Sequence, residues 1–149
     1  MTAEGIKLQR VPDWPERLER FLRANQSRKF QHGTWDCCQM AAQAIEVMCD
    51  IEIESYAGRY TSWNQAIGII CKVTKQSQVR AIVTDVMQRY GCIERNPNLA
   101  QRGDLMLIWR GNTRRHSVGL LDMSGMITVL TDAGMARIPR DRAVTSWSI

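Results

Sequence analysis

Cys37 and His116 are the residues whose types and settings could do chemistry. Cys37 follows Asp36 at the start of a strongly amphipathic stretch. A helix N-terminus carries unpaired N–H groups and partial positive charge, and both favour a thiolate over a thiol. A nucleophilic cysteine needs that help and a base to take its proton. The bland alternative is a small buried apolar residue, which many free cysteines are. His116 heads the apolar run Ser117–Leu121, after the loop Gly111–Arg115. A strand end is a rigid mount for a general base. His32, five residues before Cys37, competes for that role, with aromatic-like packing as its alternative.

A third group should orient the imidazole. If Asp122–Gly125 is a four-residue hairpin loop, antiparallel pairing sets Thr131 opposite His116. Asp132 is chemically the stronger partner, and a one-residue slip of register decides between them. Both could equally be turn residues before Gly134. Cys38 points about 100° around the helix from Cys37, so it reads as packing or a pocket wall. Cys49, Cys71 and Cys92 lie late in helices or just after one and read as core.

The elements that must hold these residues divide along the chain. Asp13 caps an expected helix with Pro15 and Glu16 in its first turn and an apolar stripe of Leu18, Phe21 and Leu22. Asp36 opens a second, with Met40, Ala41, Ala44, Ile45 and Met48 on one face. Ser62 precedes a third, carrying Trp63, Ala66, Ile67 and Ile70. Ser77 precedes a fourth, in which Val79, Ile82, Val83, Val86, Met87 and Tyr90 recur at helical spacing before Gly91. The second half reads as strands: Leu105–Trp109, Ser117–Leu121, Met126–Thr131, Ala136–Ile138 and Val144–Trp147. Helices first and strands later predict an α+β fold.

Composition sets the outer limits. A chain of 149 residues fits one domain, here 1–149, and buries a sizeable core without disulfides. Apolar residues make up 44% and charged residues 23%, which excludes a disordered chain. No apolar run approaches the roughly 20 residues of a membrane span. Met1–Arg10 lacks an apolar h-region, so no secretory signal is expected and synthesis is placed in the cytoplasm. Five cysteines without such a signal argue against a disulfide framework. There is no C-x-x-C, the two histidines are far apart, and no motif points to a metal or cofactor. The net charge of +5 suits anionic partners, but the arginines are scattered apart from Arg114-Arg115. No nucleic-acid-binding motif accompanies them, so nucleic acid is not the expected partner.

Three segments, in order, carry a resemblance. Phe30-Gln31-His32-Gly33 followed by Trp35-Asp36-Cys37 resembles the aromatic-x-Trp-Gly … Asp-Cys-Ser segment of NlpC/P60 cysteine peptidases. Arg102-Gly103-Asp104-Leu105 resembles that family's R-G-D-L segment, and His116-Ser117-Val118-Gly119-Leu120 its H-V-G-I strand. Small phage tail-associated members are the most similar in pattern, including a helical insertion at about 58–92 and the Ala133-Gly134 … Pro139 … Trp147 ending. The resemblance implies a papain-like fold, with the cysteine at a helix N-terminus packed on a small antiparallel sheet. It implies Cys37 as nucleophile, His116 as base and an orienting residue near Thr131. Backbone N–H groups around Cys37 would hold the oxyanion, with Asp36, Cys38 and Phe30 lining the substrate or oxyanion side.

The resemblance also implies a substrate: an amide bond in a peptidoglycan stem peptide, cut as a phage genome enters. The protein would be made in the host cytoplasm and carried in the virion tail. This sequence departs from the family at four points. Phe30 stands where a Tyr is usual, His32 replaces the Trp, Cys38 replaces the Ser, and the third polar residue is not clearly His, Asn or Gln. A rival expectation is an inactive tail-tip component of the same fold, bound to a hub or distal tail protein. A filled cleft, or exposed Trp14, Trp63 and Trp147, would favour it.

Overall fold

The computed structural model describes residues 7–149. The expectation about a secretory signal rests largely on residues 1–6, which lie outside the described residues. Four helices precede a six-stranded antiparallel sheet, so the α+β class holds. The helices are α1 (Trp14–Ala24), α2 (Cys37–Cys49), α3 (Trp63–Thr74) and α4 (Val79–Arg89). The strands are β1 (Glu94–Arg95), β2 (Leu105–Trp109), β3 (His116–Leu121), β4 (Ile127–Thr131), β5 (Gly134–Ile138) and β6 (Ala143–Trp147), in the sheet order β1-β6-β2-β3-β4-β5. None of the described helices is long and apolar enough to cross a membrane.

Period-two alternation splits the sheet between two cores. Leu105, Leu107, Val118, Leu120 and Trp147 face the helices. Met106, Ile108, Leu121, Ile127 and Val129 fill a smaller cluster on the other face. The helical side is built on α2, whose Met40, Ala44 and Met48 are fully buried and whose Ala41 and Ile45 are nearly so. Five such positions at spacings of three and four make a helix that packs along its whole length. Leu18 of α1 is also fully buried, and Phe21 stacks at a tilt on the buried Trp35, ring centroids 5.9 Å apart.

The helix caps follow the expected chemistry in part. Asp36 and Ser62 each accept a backbone N–H, from Gln39 and Gln65 respectively. Asp13 precedes α1 but makes no cap bond; its carboxylate takes Arg17 instead. The residue before α4 is Gln78, not Ser77, and its side chain does not cap. The helix forms regardless, because Val79, Ile82, Val83, Val86 and Met87 are all buried. Most helical stability comes from such a face rather than from the cap.

Two further expectations are corrected. The β3–β4 pairs are Leu120 with Thr128 and Leu121 with Ile127. The turn therefore centres on Ser124, one residue slipped from the expected register, with Asp122 N–H donating to the Met126 carbonyl. Asp122 causes the extra residue: its buried carboxylate accepts from the Ser124 N–H and the hydroxyls of Ser124 and Thr128. Second, Cys71 is exposed rather than core; Cys49 is buried and Cys92 half-buried. The short β1 was not legible in the sequence, because Glu94 and Arg95 are exposed edge residues.

Candidate active site

Asp36 places Cys37. The Asp36 side chain caps α2 through Gln39 N–H at 2.9 Å, and its other oxygen accepts Gly33 N–H at 2.9 Å and the Tyr60 hydroxyl at 2.5 Å. Gln39, also buried, donates to Tyr60 Oη and to the Ser55 carbonyl, and accepts from the Ser55 hydroxyl. Every carboxylate oxygen of Asp36 is thus used inside the protein. Asp36 builds the helix start and lines the cavity with both oxygens already bonded.

Gly33 lets the segment that leads into α3 sit against this loop. It has φ +84°, and a Cβ there would lie 2.0 Å from the Tyr60 carbonyl oxygen. Gly33 also accepts the Gly58 N–H at 2.8 Å. Residues 58–60 are therefore clamped to the loop feeding Cys37.

Cys37 is the first residue of α2 and half-buried. Its Sγ lies 4.0 Å from that of Cys38. A hydrogen bond from Cys38 does most to hold the Cys37 pKa down, to about 7; burial opposes it, the Ser117 side chain helps, Asp36 opposes, and the Val118 N–H helps. The same bond, together with burial, raises Cys38. The two thiols titrate as a pair, with Cys37 the one that ionises first. The expectation that Cys38 merely lines a wall is therefore incomplete. The Cys37 and Cys38 backbone N–H groups, in the first turn, have no partner among the described residues. Gln39 N–H is already taken by the Asp36 cap. Two free donors beside the sulfur are what a developing oxyanion needs.

His116 lies across the same cavity, at the first residue of β3. It pairs in register with Trp109, and the two rings stack with centroids 4.0 Å apart. Its Nε2 is buried without a hydrogen-bond partner. Two other buried nitrogens share that state, Arg10 Nε and Trp35 Nε1, but neither residue lines the cavity. Burial, and then the charge on Arg80, lower the His116 pKa, so the ring is neutral at pH 7. No hydrogen bond joins His116 to Cys37 among the described residues, and the influences that lower Cys37 do not include it. Cys37 and His116 thus share the cavity with no hydrogen bond between them among the described residues.

The third position is not filled as expected. The Thr131 hydroxyl donates to the Gly134 carbonyl and accepts the Ala133 N–H, closing its own turn. With the slipped register, the β3–β4 ladder ends before His116 and never sets Thr131 opposite it. Asp132 is exposed and lies 3.7 Å from Arg110. Trp109, through stacking, is the neighbour that fixes the His116 ring.

Phe30 lines the cavity beside His32, whose ring meets it edge-on at 4.8 Å. His32 thus lines the same cavity as Cys37 and packs on Phe30. Arg110 sits over Phe30, and Arg115 over Trp63 at 4.6 Å. Both guanidiniums stand at the exposed rim. Tyr60, Ser117 and Trp109 are site residues that sequence reasoning missed. Ser117 and Trp109 lie in or beside the motif segments; Tyr60 had no local signal, since it acts through a contact with a loop 24 residues away.

Of the tryptophans that would mark an interface, Trp147 is buried and Trp14 and Trp63 are half-buried. The exposed one is Trp109, beside the histidine. Comparison with curated proteins gives no match. Residues 9–149 match a family described as a domain of unknown function, DUF6950, so the chain belongs to the DUF6950 family.

Proposed function

We propose that the protein is a cysteine-dependent hydrolase of acyl bonds, of the papain-like NlpC/P60 kind. The observation that carries this reading is the shared cavity: a thiol of lowered pKa at a helix N-terminus, free N–H donors beside it, and a neutral histidine on the opposite wall. Cys37 attacks the carbonyl as His116 accepts its proton. The oxyanion rests on the Cys37 and Cys38 N–H groups. His116 then protonates the leaving amine, and water releases the acyl group from Cys37. His116 and Cys37 close to hydrogen-bonding distance when substrate is held, as catalytic contacts often do. The motif resemblance supports a peptidoglycan stem peptide as substrate and a phage tail as the setting, with a tail hub or distal tail protein as neighbour.

The test is hydrolysis of purified peptidoglycan fragments by wild type, Cys37→Ala and His116→Ala. Wild type cleaves them, Cys37→Ala is inactive, and His116→Ala is slower by roughly 10² to 10⁴. Cleavage that survives either substitution overturns the reading. A wild type inactive on every acyl substrate favours the second reading, an inactive tail-tip component. The missing Cys37–His116 contact and the unanchored third position favour that second reading.

A further inference from the structure

The loop between β2 and β3 is closed on itself. The Arg110 N–H donates to the Arg115 carbonyl at 2.8 Å, and the Thr113 hydroxyl donates to the Arg110 carbonyl and accepts the Arg115 N–H. Its two end residues, Arg110 and Arg115, are exposed and line the cavity that holds Cys37. Each guanidinium lies over an aromatic ring of the same lining, Arg110 over Phe30 at 5.7 Å and Arg115 over Trp63 at 4.6 Å. A ring beneath the plane steadies a guanidinium and leaves the N–H groups at its edge free to donate. The two differ in what faces them. Arg110 stands 3.7 Å from Asp132. Arg115 has neither an ion pair nor a side-chain hydrogen bond among the described residues. Among those residues Asp36 is the only carboxylate that lines the cavity, and both its oxygens are bonded inside the protein. The cavity therefore offers an uncompensated positive charge and no free negative one.

We infer that Arg115, stacked on Trp63, binds a carboxylate of the substrate, so that the protein selects acidic peptides. The inference rests on the reading of Cys37 as nucleophile, which makes the shared cavity the place where substrate sits. The planar fork of a guanidinium matches a carboxylate through two parallel hydrogen bonds, and carboxylates are the anions that a peptide carries. Trp63 is the first residue of α3, so the stack also ties the β2–β3 loop to that helix and holds the cation in place. Arg115 thereby becomes the specificity-determining residue of the site, while Arg110 remains shared with Asp132.

Alkylation of Cys37 in the full chain tests this without requiring turnover. The probes are iodoacetyl-glycine, iodoacetyl-β-alanine and iodoacetyl-γ-aminobutyrate, each as the free acid and as the amide, so that the carboxylate is carried progressively further from the reacting carbon. The Cys37 thiolate displaces iodide: a C–S bond forms, the C–I bond breaks, and iodide leaves with the bonding pair. Mass spectrometry resolves Cys37 from the other cysteines, and the amide rate is the internal control for an intact cavity. At the best length the acid reacts roughly tenfold faster than its amide and saturates. Arg115→Gln brings that ratio close to unity, and Arg115→Lys, which keeps the charge without the fork, retains part of it. Arg114→Gln removes the same charge one residue away, outside the cavity lining, and changes the ratio by less than about twofold. A ratio near unity at every length, one that survives Arg115→Gln, or one that falls as far with Arg114→Gln overturns the carboxylate site while leaving Cys37 as nucleophile. A Cys37 inert to acids and amides alike overturns both.

Discussion

Asp36 and His116 both line the cavity that holds Cys37, and they are built in opposite ways. Asp36 has a partner for each oxygen: a helix N–H, a loop N–H and a tyrosine hydroxyl. His116 has a stacked indole and a buried nitrogen with nothing to bond. A satisfied buried group holds structure, while an unsatisfied one costs free energy until a partner reaches it. The two sides of one cavity thus divide the labour. The carboxylate on the α2 side is fully bonded; the imidazole nitrogen on the β3 side is not.

That contrast breaks first at Asp36. Asp36→Ala removes a cap and strands a loop N–H and a tyrosine hydroxyl, so we expect about 3 kcal/mol or more of destabilisation, read from urea unfolding. Tyr60→Phe removes the hydroxyl that donates to the same carboxylate and accepts from Gln39, and should cost about 1 to 2 kcal/mol. An effect of Tyr60→Phe equal to that of Asp36→Ala would mean the hydroxyl, not the cap, carries the cluster.

The thiols sharpen the comparison. Cys38→Ala deletes the donor that lowers Cys37, so the midpoint of Cys37 alkylation should move up from about 7 toward the ordinary cysteine value of about 8.5. The direction follows because losing a hydrogen bond to the thiolate favours the thiol. His116→Ala should leave that midpoint nearly in place while slowing hydrolysis by roughly 10² to 10⁴. A midpoint that follows His116 instead of Cys38 would restore the ion-pair picture. Smallest of all is the effect on folding of His116→Phe: it keeps the stacking surface and deletes the unpartnered nitrogen, so unfolding free energy should change by about 0.5 kcal/mol or less. A loss as large as that of Asp36→Ala would show a structural bond to His116.

What the sequence made legible follows from range. The α2 face and the Asp36 cap are local, set by spacings of three to five residues, and both form as the pattern requires. The β2 and β3 strands announced themselves as apolar runs, and with them the position of His116. The third site residue was not legible, because it depends on a register that one buried carboxylate, Asp122, shifts by a residue. Tyr60 was not legible because its partner is distant in sequence. Cys71 misled for a related reason: it lies on α3, whose apolar residues face the cavity or solvent rather than a packed neighbour.

The Trp109 stack on His116 has a spectroscopic consequence. An indole in van der Waals contact with an imidazole loses emission when that ring takes a proton, because the imidazolium accepts an electron from the excited state. Trp109 is exposed, so its emission also sits to the red of that from buried Trp35 and Trp147. Acid titration of the red-side fluorescence therefore reads the charge on the base directly, with Trp109→Phe as the blank. The curve should fall below the pH at which a free histidine titrates, and it needs neither substrate nor turnover.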